Sequence, residues 1–304
     1  MIEQALLQHL RHQVALSPYL ALYGDEMAIF SQEAPADVDQ FWGAGPQYGR
    51  IVFYVDVQGD PERTMGGRLT VDILCEKNKQ FPEVIEPIVR ELIHGWFFSN
   101  GKFTVAAQWK DSDYFTEPAK KVTGCTVTYD LLAFPMLTTF PVDVIARFNE
   151  WSAEFDGIHV INYDGLPATA WKPSESESAV YWRLVKDDPA RWIPDTYQTI
   201  WRTATVRGHI FAEDIAKTIS VARAIYERLY SEKRLMKEGE SPIMVNRNNT
   251  VNPGADSLKT GQVTVEATFG VIVNNGNDQT VSKIVYSDNK EERRTLNGSK
   301  EPIR

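Results

Sequence analysis

The chain has 304 residues, of which 43% are hydrophobic and 24% charged, and its formal net charge is −9. This length has room for two ordinary domains with real cores, and the negative charge argues against tight wrapping of a nucleic acid backbone. Cys75 and Cys125 lie in apolar runs, which predicts buried thiols and not a secreted disulfide framework. No stretch approaches the roughly 18 apolar residues of a membrane helix, so we expect a protein made in a cytoplasm-like compartment, without membrane association.

The first half of the chain predicts the order helix, two strands, helix, two strands. The spacing of Ile2, Leu6, Leu10 and Val14 predicts an amphipathic opening helix. A second apolar stripe predicts a helix whose regular part begins near Glu86, because proline at position 87 fits only a first turn. The four strands are predicted from their β-rich apolar runs at 51–57, 69–75, 103–109 and 122–134.

The second half repeats this order. Apolar residues from Val144 to Trp151 predict its first helix, and a longer helix is expected at 212–233 with a buried stripe that begins at Ile215. Its strands are predicted at 179–186, 200–207 and 262–273. The polar residues from 274 to 304 are read as a C-terminal arm.

Short sequence echoes indicate a tandem duplication. From Val52 to Arg63 the chain matches Val180 to Arg191 at a constant offset of 128, and both segments contain Asp-Pro-x-Arg. Later echoes place Phe81 against Phe211 and Thr123-Gly124 against Thr260-Gly261. Growing offsets are what loop insertions produce. We therefore predict an α+β protein of two similar domains, 1–138 and 139–273, each a mostly antiparallel sheet packed by an N-terminal helix and a central helix, followed by the polar arm 274–304.

The order of elements resembles the tail terminator, or tail completion, family of long-tailed bacteriophages, particularly the small lambda-like terminator. The resemblance is carried by the opening helix, a turn from Tyr163 to Ala168, an aromatic-flanked strand at Val180 to Val185, a long loop and one helix packed on the sheet. The first half departs from it, because its turn reads Tyr23 to Ala28 and the following loop to Val52 is 12 residues longer than its counterpart.

This resemblance implies a structural virion protein and no enzymatic activity. Such a protein forms a ring at the head-proximal end of the tail, caps the tail tube, stops its polymerisation and joins it to head-completion or connector proteins. Two units per chain favour a trimer with pseudo-six-fold symmetry, with a hexamer as the alternative. Genome DNA would pass through the lumen without specific binding.

Three loops are predicted as assembly surfaces: 60–67, 188–198 and 31–49. They carry charged and aromatic side chains of the kinds that anchor interfaces. The candidate interface residues are Asp60, Arg63, Trp42, Tyr48, Asp188, Arg191, Trp192 and Tyr197. The other reading of Asp-Pro-x-Arg is a local turn, in which the aspartate caps backbone amides and the arginine pairs nearby.

Other functions have weaker support in the sequence. His9 and His12 are spaced to share a metal on a helix but lack a complete ligand set, and a solvated helix face is the simpler reading. The acidic groups Asp111, Asp113 with Tyr114, and Asp187, Asp188 could act as paired carboxylates, yet such loop pairs are usually solvated. We expect no catalytic residue, cofactor or metal. Another tail ring component, such as a tube or baseplate protein, stays open, as does a carbohydrate-binding module built on the eight tryptophans.

Overall fold

The computed structural model describes residues 2–57, 65–101, 103–134, 142–196, 198–236, 241–258 and 260–273. The predicted domain boundary at residue 138 and the polar arm 274–304 lie outside these residues. The described part is an α+β protein with four helices and two curled, mostly antiparallel sheets.

The first half, residues 2–134, contains two helices and eight strands within its described residues. They are α1 (Ile2–Arg11), β1 (Leu22–Tyr23), β2 (Glu26–Met27), β3 (Ile29–Ser31), β4 (Arg50–Val57), β5 (Met65–Glu76), α2 (Pro82–Ile93), β6 (Phe97–Ser99), β7 (Thr104–Glu117) and β8 (Val122–Ala133).

The second half, residues 142–273, likewise has two helices and eight strands in the part that the structure describes. They are α3 (Val144–Ser152), β9 (Ile158–Val160), β10 (Ala170–Trp171), β11 (Ser178–Pro189), β12 (Thr199–Phe211), α4 (Ile215–Glu232), β13 (Arg234–Leu235), β14 (Ile243–Val245), β15 (Thr250–Val251) and β16 (Val263–Ile272).

The two large sheets follow the same order of strands. The first runs β10-β6-β7-β8-β5-β4-β3, and the second runs β13-β14-β16-β12-β11-β9, with β15 also paired to β16. In each sheet a short edge strand, β3 or β9, pairs in parallel with the first strand of a long hairpin. The long strands themselves pair antiparallel.

Each sheet buries one face under two helices. The first core joins α1 and α2 to the strands through apolar side chains that include Leu6, Leu10, Ile85, Val89 and Phe53. The second core does the same for α3 and α4, with Phe148, Trp182, Ile225, Leu229 and Val206. Alternate residues of each strand face the helices, so the opposite face of each sheet remains available for other contacts.

Three predictions about helix ends are wrong. The opening helix ends at Arg11, and Val14 lies in a following 3-10 turn with 83% of its surface exposed. The helix α2 begins at Pro82, which occupies the first turn, so Pro87 lies inside it. In α4 the side chain of Asp214 caps the first turn and Ile215 is exposed, because the buried stripe begins at Thr218.

The predicted alignment at an offset of 128 pairs residues that lie on different faces of their sheets. It matches Val52 with Val180, yet Val180 belongs to the core under the helices, whereas the core residues of β4 are Ile51 and Phe53. A shift of one residue along a strand moves every side chain to the other face. When the two hairpins are compared by ladder position, they match at an offset of 129, so that Phe53 corresponds to Trp182.

The turns at Tyr23 and Tyr163, which the sequence comparison set side by side, lie at different places in the two sheets. Tyr23 precedes the edge strand β3, whereas Tyr163 follows the edge strand β9. Measured between paired core positions, the connection from Ile29 to Ile51 spans 22 residues and that from Val160 to Val180 spans 20. The two connections thus differ in length by two residues.

The two halves contact each other through a strand and an aromatic cluster. The strand β10 of the second half pairs with β6 at the edge of the first sheet, and the Ser99 amide donates a 2.8 Å hydrogen bond to the Thr169 carbonyl. Behind this pairing lies the aromatic junction, formed by Phe97, Phe134, Trp171, Tyr181 and Phe211. The ring centroid of Phe97 lies 5.0 Å from that of Phe211 and 5.5 Å from that of Trp171.

Candidate assembly surfaces

The loop 32–49 is held by a polar and aromatic cluster around Arg50. Its guanidinium donates a 2.8 Å hydrogen bond to the Asp37 carboxylate and lies 4.7 Å from the centre of the Tyr48 ring. The Tyr48 hydroxyl donates to the other oxygen of Asp37 at 3.1 Å. Burial and the Asp37 charge raise the pKa of Tyr48, so its hydroxyl stays a donor over the physiological range. These contacts fix the loop without any partner.

The sequence predicted Trp42 as an interface residue on the protein surface, but its side chain is buried. It is 3% exposed, packs with Phe30 and Tyr23 on the outer face of the first sheet, and donates its indole hydrogen to the Ala36 carbonyl at 3.1 Å. The neighbouring Phe41 is 59% exposed and Val38 is 93% exposed. Sequence reasoning passed over both, because an isolated apolar residue in a loop gives no sign of its exposure.

The long hairpin of β11 and β12 presents the clearest exposed anchor among the predicted residues. Trp192 lies at its tip with 63% of its surface exposed, and Arg191 beside it is also exposed. Exposed tryptophan and arginine are the residue types most enriched at the energetic centres of interfaces. Trp192 therefore fits a docking role better than the buried Trp42 does.

The Asp-Pro-x-Arg segment runs from the end of β11 into the turn at the hairpin tip, and its aspartate does not cap that turn. Asp188 and Pro189 belong to β11, where Asp188 pairs across the ladder with Thr203 and forms an ion pair with Lys186. Asp187 instead receives a 2.8 Å hydrogen bond from Arg202, which raises the pKa of that guanidinium. Both adjacent carboxylates are thus engaged with basic side chains. The corresponding residues Asp60 and Arg63, and also Tyr197, lie outside the described residues.

The histidines of α1 have different environments. His9 is buried against Trp96 and its Nε2 lies 2.8 Å from the Leu92 carbonyl oxygen, so the predicted solvated face is wrong for this residue. His12 is exposed and its Nδ1 lies 2.6 Å from the Gln8 carbonyl oxygen. Their rings therefore bond to different parts of the chain.

The cysteines are buried, as predicted. Cys75 and Cys125 are free thiols on neighbouring strands of the first core. Desolvation by burial raises the pKa of each thiol to about 12. At neutral pH both are protonated and behave as small apolar side chains.

Most tryptophans fill cores, as the sequence indicated. Trp42, Trp151, Trp171 and Trp182 are buried, whereas Trp192 is exposed. A sugar-binding platform needs aromatic faces that are open to solvent. One exposed indole at a hairpin tip fits a protein contact better than it fits a sugar groove.

A pocket of about 470 Å³ opens beside the edge strand β13. Its apolar part consists of Trp151 from α3 with Leu235 and Met236, and charged side chains of α3 and α4 form its rim. Met236 is 69% exposed. No sequence pattern predicts this pocket, because it depends on how α3 lies against a strand more than 80 residues away.

No known family model matches this sequence, and no curated protein and no solved structure is significantly similar to it. Within the described residues, none of the helices is both long and apolar enough to cross a membrane. Fold topology and surface contacts are therefore the observations that bear on function.

We expect His209 to make the stability of the protein depend on pH. It is 2% exposed beside the aromatic junction, and its Nδ1 lies 2.8 Å from the Ser257 carbonyl oxygen. Burial is the main cause that lowers its pKa, and Arg183 and Arg207 act in the same direction. The unfolded chain then binds a proton at higher pH than the folded one, so stability falls as pH drops below about 6.5.

We expect the free energy of unfolding of the wild type to decrease between pH 7 and pH 5, with this histidine contributing up to about 1.4 kcal/mol per pH unit. In His209→Gln, denaturant unfolding at each pH should give a shallower slope. His12→Gln is the matched control, since His12 is exposed, and should keep the wild-type slope. A slope that is unchanged in His209→Gln would contradict this assignment.

Proposed function

We propose that this chain is a ring-forming structural protein of a bacteriophage tail, a tail terminator in which one polypeptide contributes two copies of the family unit. The observation that carries the proposal is the shared topology of the two sheets. Each half has the order helix, parallel edge strand, long hairpin, helix, short outer strand, and a return to the centre of the sheet.

The residue register of the ladders supports a duplication. Three successive core rows of the first hairpin have counterparts in the second at constant offsets of 129 for the first strand and 137 for the second. The paired rows are Ile51–Ile73 with Val180–Ile210, Phe53–Val71 with Trp182–Gly208, and Val55–Leu69 with Leu184–Val206. The three rows follow from one shared register, which adds to the agreement of the two sheets in strand order and direction.

The return strands agree in the same way. Val71 pairs with Val127 and Leu69 with Tyr129, just as Gly208 pairs with Val263 and Val206 with Val265. Farther out, Ala106–Leu132 and Ala107–Leu131 correspond to Met244–Thr268 and Val245–Ala267. These rows support a shared ladder register near the helix-covered core, while a bulge after Leu184 in β11 has no counterpart in β4.

Two similar units that contact head to tail suit a closed ring. The contact between the halves uses different surfaces on each half, which is a heterologous interface, and such interfaces close into rings when the rotation per unit allows it. Three chains would then supply six units, so we favour a trimer with pseudo-six-fold symmetry over a hexamer. The role is geometric and needs no covalent chemistry, cofactor or metal.

The hairpin tip is the surface that we assign to the tail tube or a connector protein. Replacing Trp192 by alanine should leave folding intact while weakening that association by about 2 kcal/mol, or roughly 30-fold, as expected for an interface hot spot. Tyr230→Ala is the matched control, since Tyr230 is 57% exposed on α4. Binding of purified tubes measured by co-sedimentation tests this. If the two variants bound tubes with equal affinity, the contact with the tube would lie on another surface of the protein.

Electron microscopy of virions that carry a C-terminally labelled chain tests the terminator role. We expect label only at the head-proximal end of the tail. Label along the tube or at the baseplate would favour another tail ring protein, and absence of label from the particles would overturn the proposal.

A further inference from the structure

The contact between the two halves predicts the contact between neighbouring chains. Arg50 and Ala179 occupy the same ladder position, because they pair with Leu74 and Phe211, which also correspond. Trp42 and Trp171 lie eight residues before them. The two tryptophans therefore hold equivalent places in the sequences of the two halves, and Phe41 is the sequence counterpart of Ala170.

The second-half segment is already used inside the chain. Ala170 and Trp171 form β10, which extends the first sheet at β6. Ala170 packs against the first core beside α1, and Trp171 enters the aromatic junction. A loop segment of one half thus fills the edge of the sheet of the other.

The equivalent edge of the second sheet is β13. In the second sheet, Leu235 of β13 pairs with Ile243, and in the first sheet Phe98 of β6 pairs with Val105. All four side chains lie in the hydrophobic cores. The first helix of each half lies beside this strand, α1 beside β6 and α3 beside β13. On the outer side of β13, no strand of residues 2–236 or 241–273, as far as the structure describes them, is paired.

The pocket of about 470 Å³ lies where β10 would lie if the second half were occupied as the first is. Trp151 of α3, Leu235 and Met236 line it. In the first half, the small side chain of Ala170 occupies the corresponding space. In the second half the pocket is open to solvent and mostly rimmed by charged side chains, with Met236, 69% exposed, as its main accessible apolar side chain, and the matching loop residue, Phe41, is 59% exposed.

We propose that Phe41 of one chain inserts into this pocket of a second copy, with the Gln40–Trp42 turn lying along the free edge of β13. The contact repeats between chains the head-to-tail arrangement that joins the halves within a chain, and it rests on the proposed ring function. Each chain then offers one Phe41 and one pocket, so every contact leaves a further pair open until a ring closes. Burial of Phe41 and Met236 removes two of the exposed apolar side chains from water.

Cross-linking of full-length chains tests the contact. One chain carries Phe41→Cys and the other Met236→Cys, and the two are mixed and oxidised under mild conditions. The native cysteines are buried and do not compete. We expect disulfide-linked heterodimers at least tenfold above the controls.

Both controls match in exposure, and Phe81 also matches in residue type. Phe81→Cys replaces Phe41→Cys in one mixture, and Ile215→Cys replaces Met236→Cys in the other, at positions that are 61% and 68% exposed. Equal yields in all mixtures overturn the contact. Analytical ultracentrifugation of the wild type separates the two proposals. If the wild type forms a closed oligomer but all cross-linking yields are equal, this contact is overturned and the ring proposal stands. If the cross-link is specific but the wild type forms open polymers, the ring proposal is overturned and the contact stands. A monomer with equal cross-linking yields overturns both.

Discussion

Replacing Trp182 by alanine is expected to lower the free energy of unfolding by about 3–5 kcal/mol. The indole is 2% exposed at the centre of the second core, with its ring centroid 4.8 Å from that of Phe148. Its ring also covers Gly208, where an added Cβ would lie 2.7 Å from it. Its truncation leaves a large cavity, and the Ser152 hydroxyl loses the 2.7 Å hydrogen bond that it accepts from the indole.

Trp192→Ala is the matched control for this loss, because it removes the same side chain from an exposed position on the same hairpin. We expect it to change stability by no more than about 0.5 kcal/mol. Chemical denaturation followed by circular dichroism measures both variants. A loss below about 1 kcal/mol for Trp182→Ala would contradict the central position of this side chain.

The second large effect is expected at the aromatic junction. Phe97→Ala should cost about 3–5 kcal/mol, because Phe97 is 2% exposed and its ring contacts those of Phe134, Trp171 and Phe211. The lost contacts join the two halves, so the variant should also unfold in two separate calorimetric transitions.

Phe81→Ala controls for the residue type, since Phe81 is 61% exposed before α2. It should keep the wild-type stability within about 0.5 kcal/mol and a single transition. If Phe97→Ala kept that behaviour too, the junction would not couple the halves.

The long elements of the fold could be predicted from the sequence. The amphipathic spacing of α1 and the alternating apolar residues of β4 and β8 fix their buried faces, and each lies within a few residues of its prediction. The strand β7 runs to Glu117, eight residues beyond its predicted end. Its second part is polar and is held as a strand by pairing with β8, which is a tertiary effect that local propensity does not show.

The short edge strands could not be predicted. Two or three residues, as in β9, β10 and β13, carry no periodicity, and they become strands only because a longer neighbour supplies hydrogen bonds. The order of elements on which the proposed duplication rests could be predicted from the sequence, but the matched residues could not. Identical residues such as Val52 and Val180 suggested an alignment that ignores which face of the strand each residue lies on. Assigning those faces requires the register of the strand pairing.

The candidate surfaces show the same limit. Composition identified both Trp42 and Trp192 as possible anchors, yet one is buried in its own loop and the other is exposed at a hairpin tip. The difference comes from Phe30 and Tyr23, which cover Trp42 from β3 and β1. The pocket beside β13 and the exposed Phe41 depend on packing between distant segments and left no pattern in the sequence.

The central claim is that each chain places two equivalent units side by side in a closed ring. Native mass spectrometry of the assembled protein, combined with averaged electron micrographs of the same sample, tests it most directly. We predict a mass of three chains and six similar lobes around a central channel. Open filaments, a stable monomer, or a ring in which the two halves occupy unlike positions would contradict the claim.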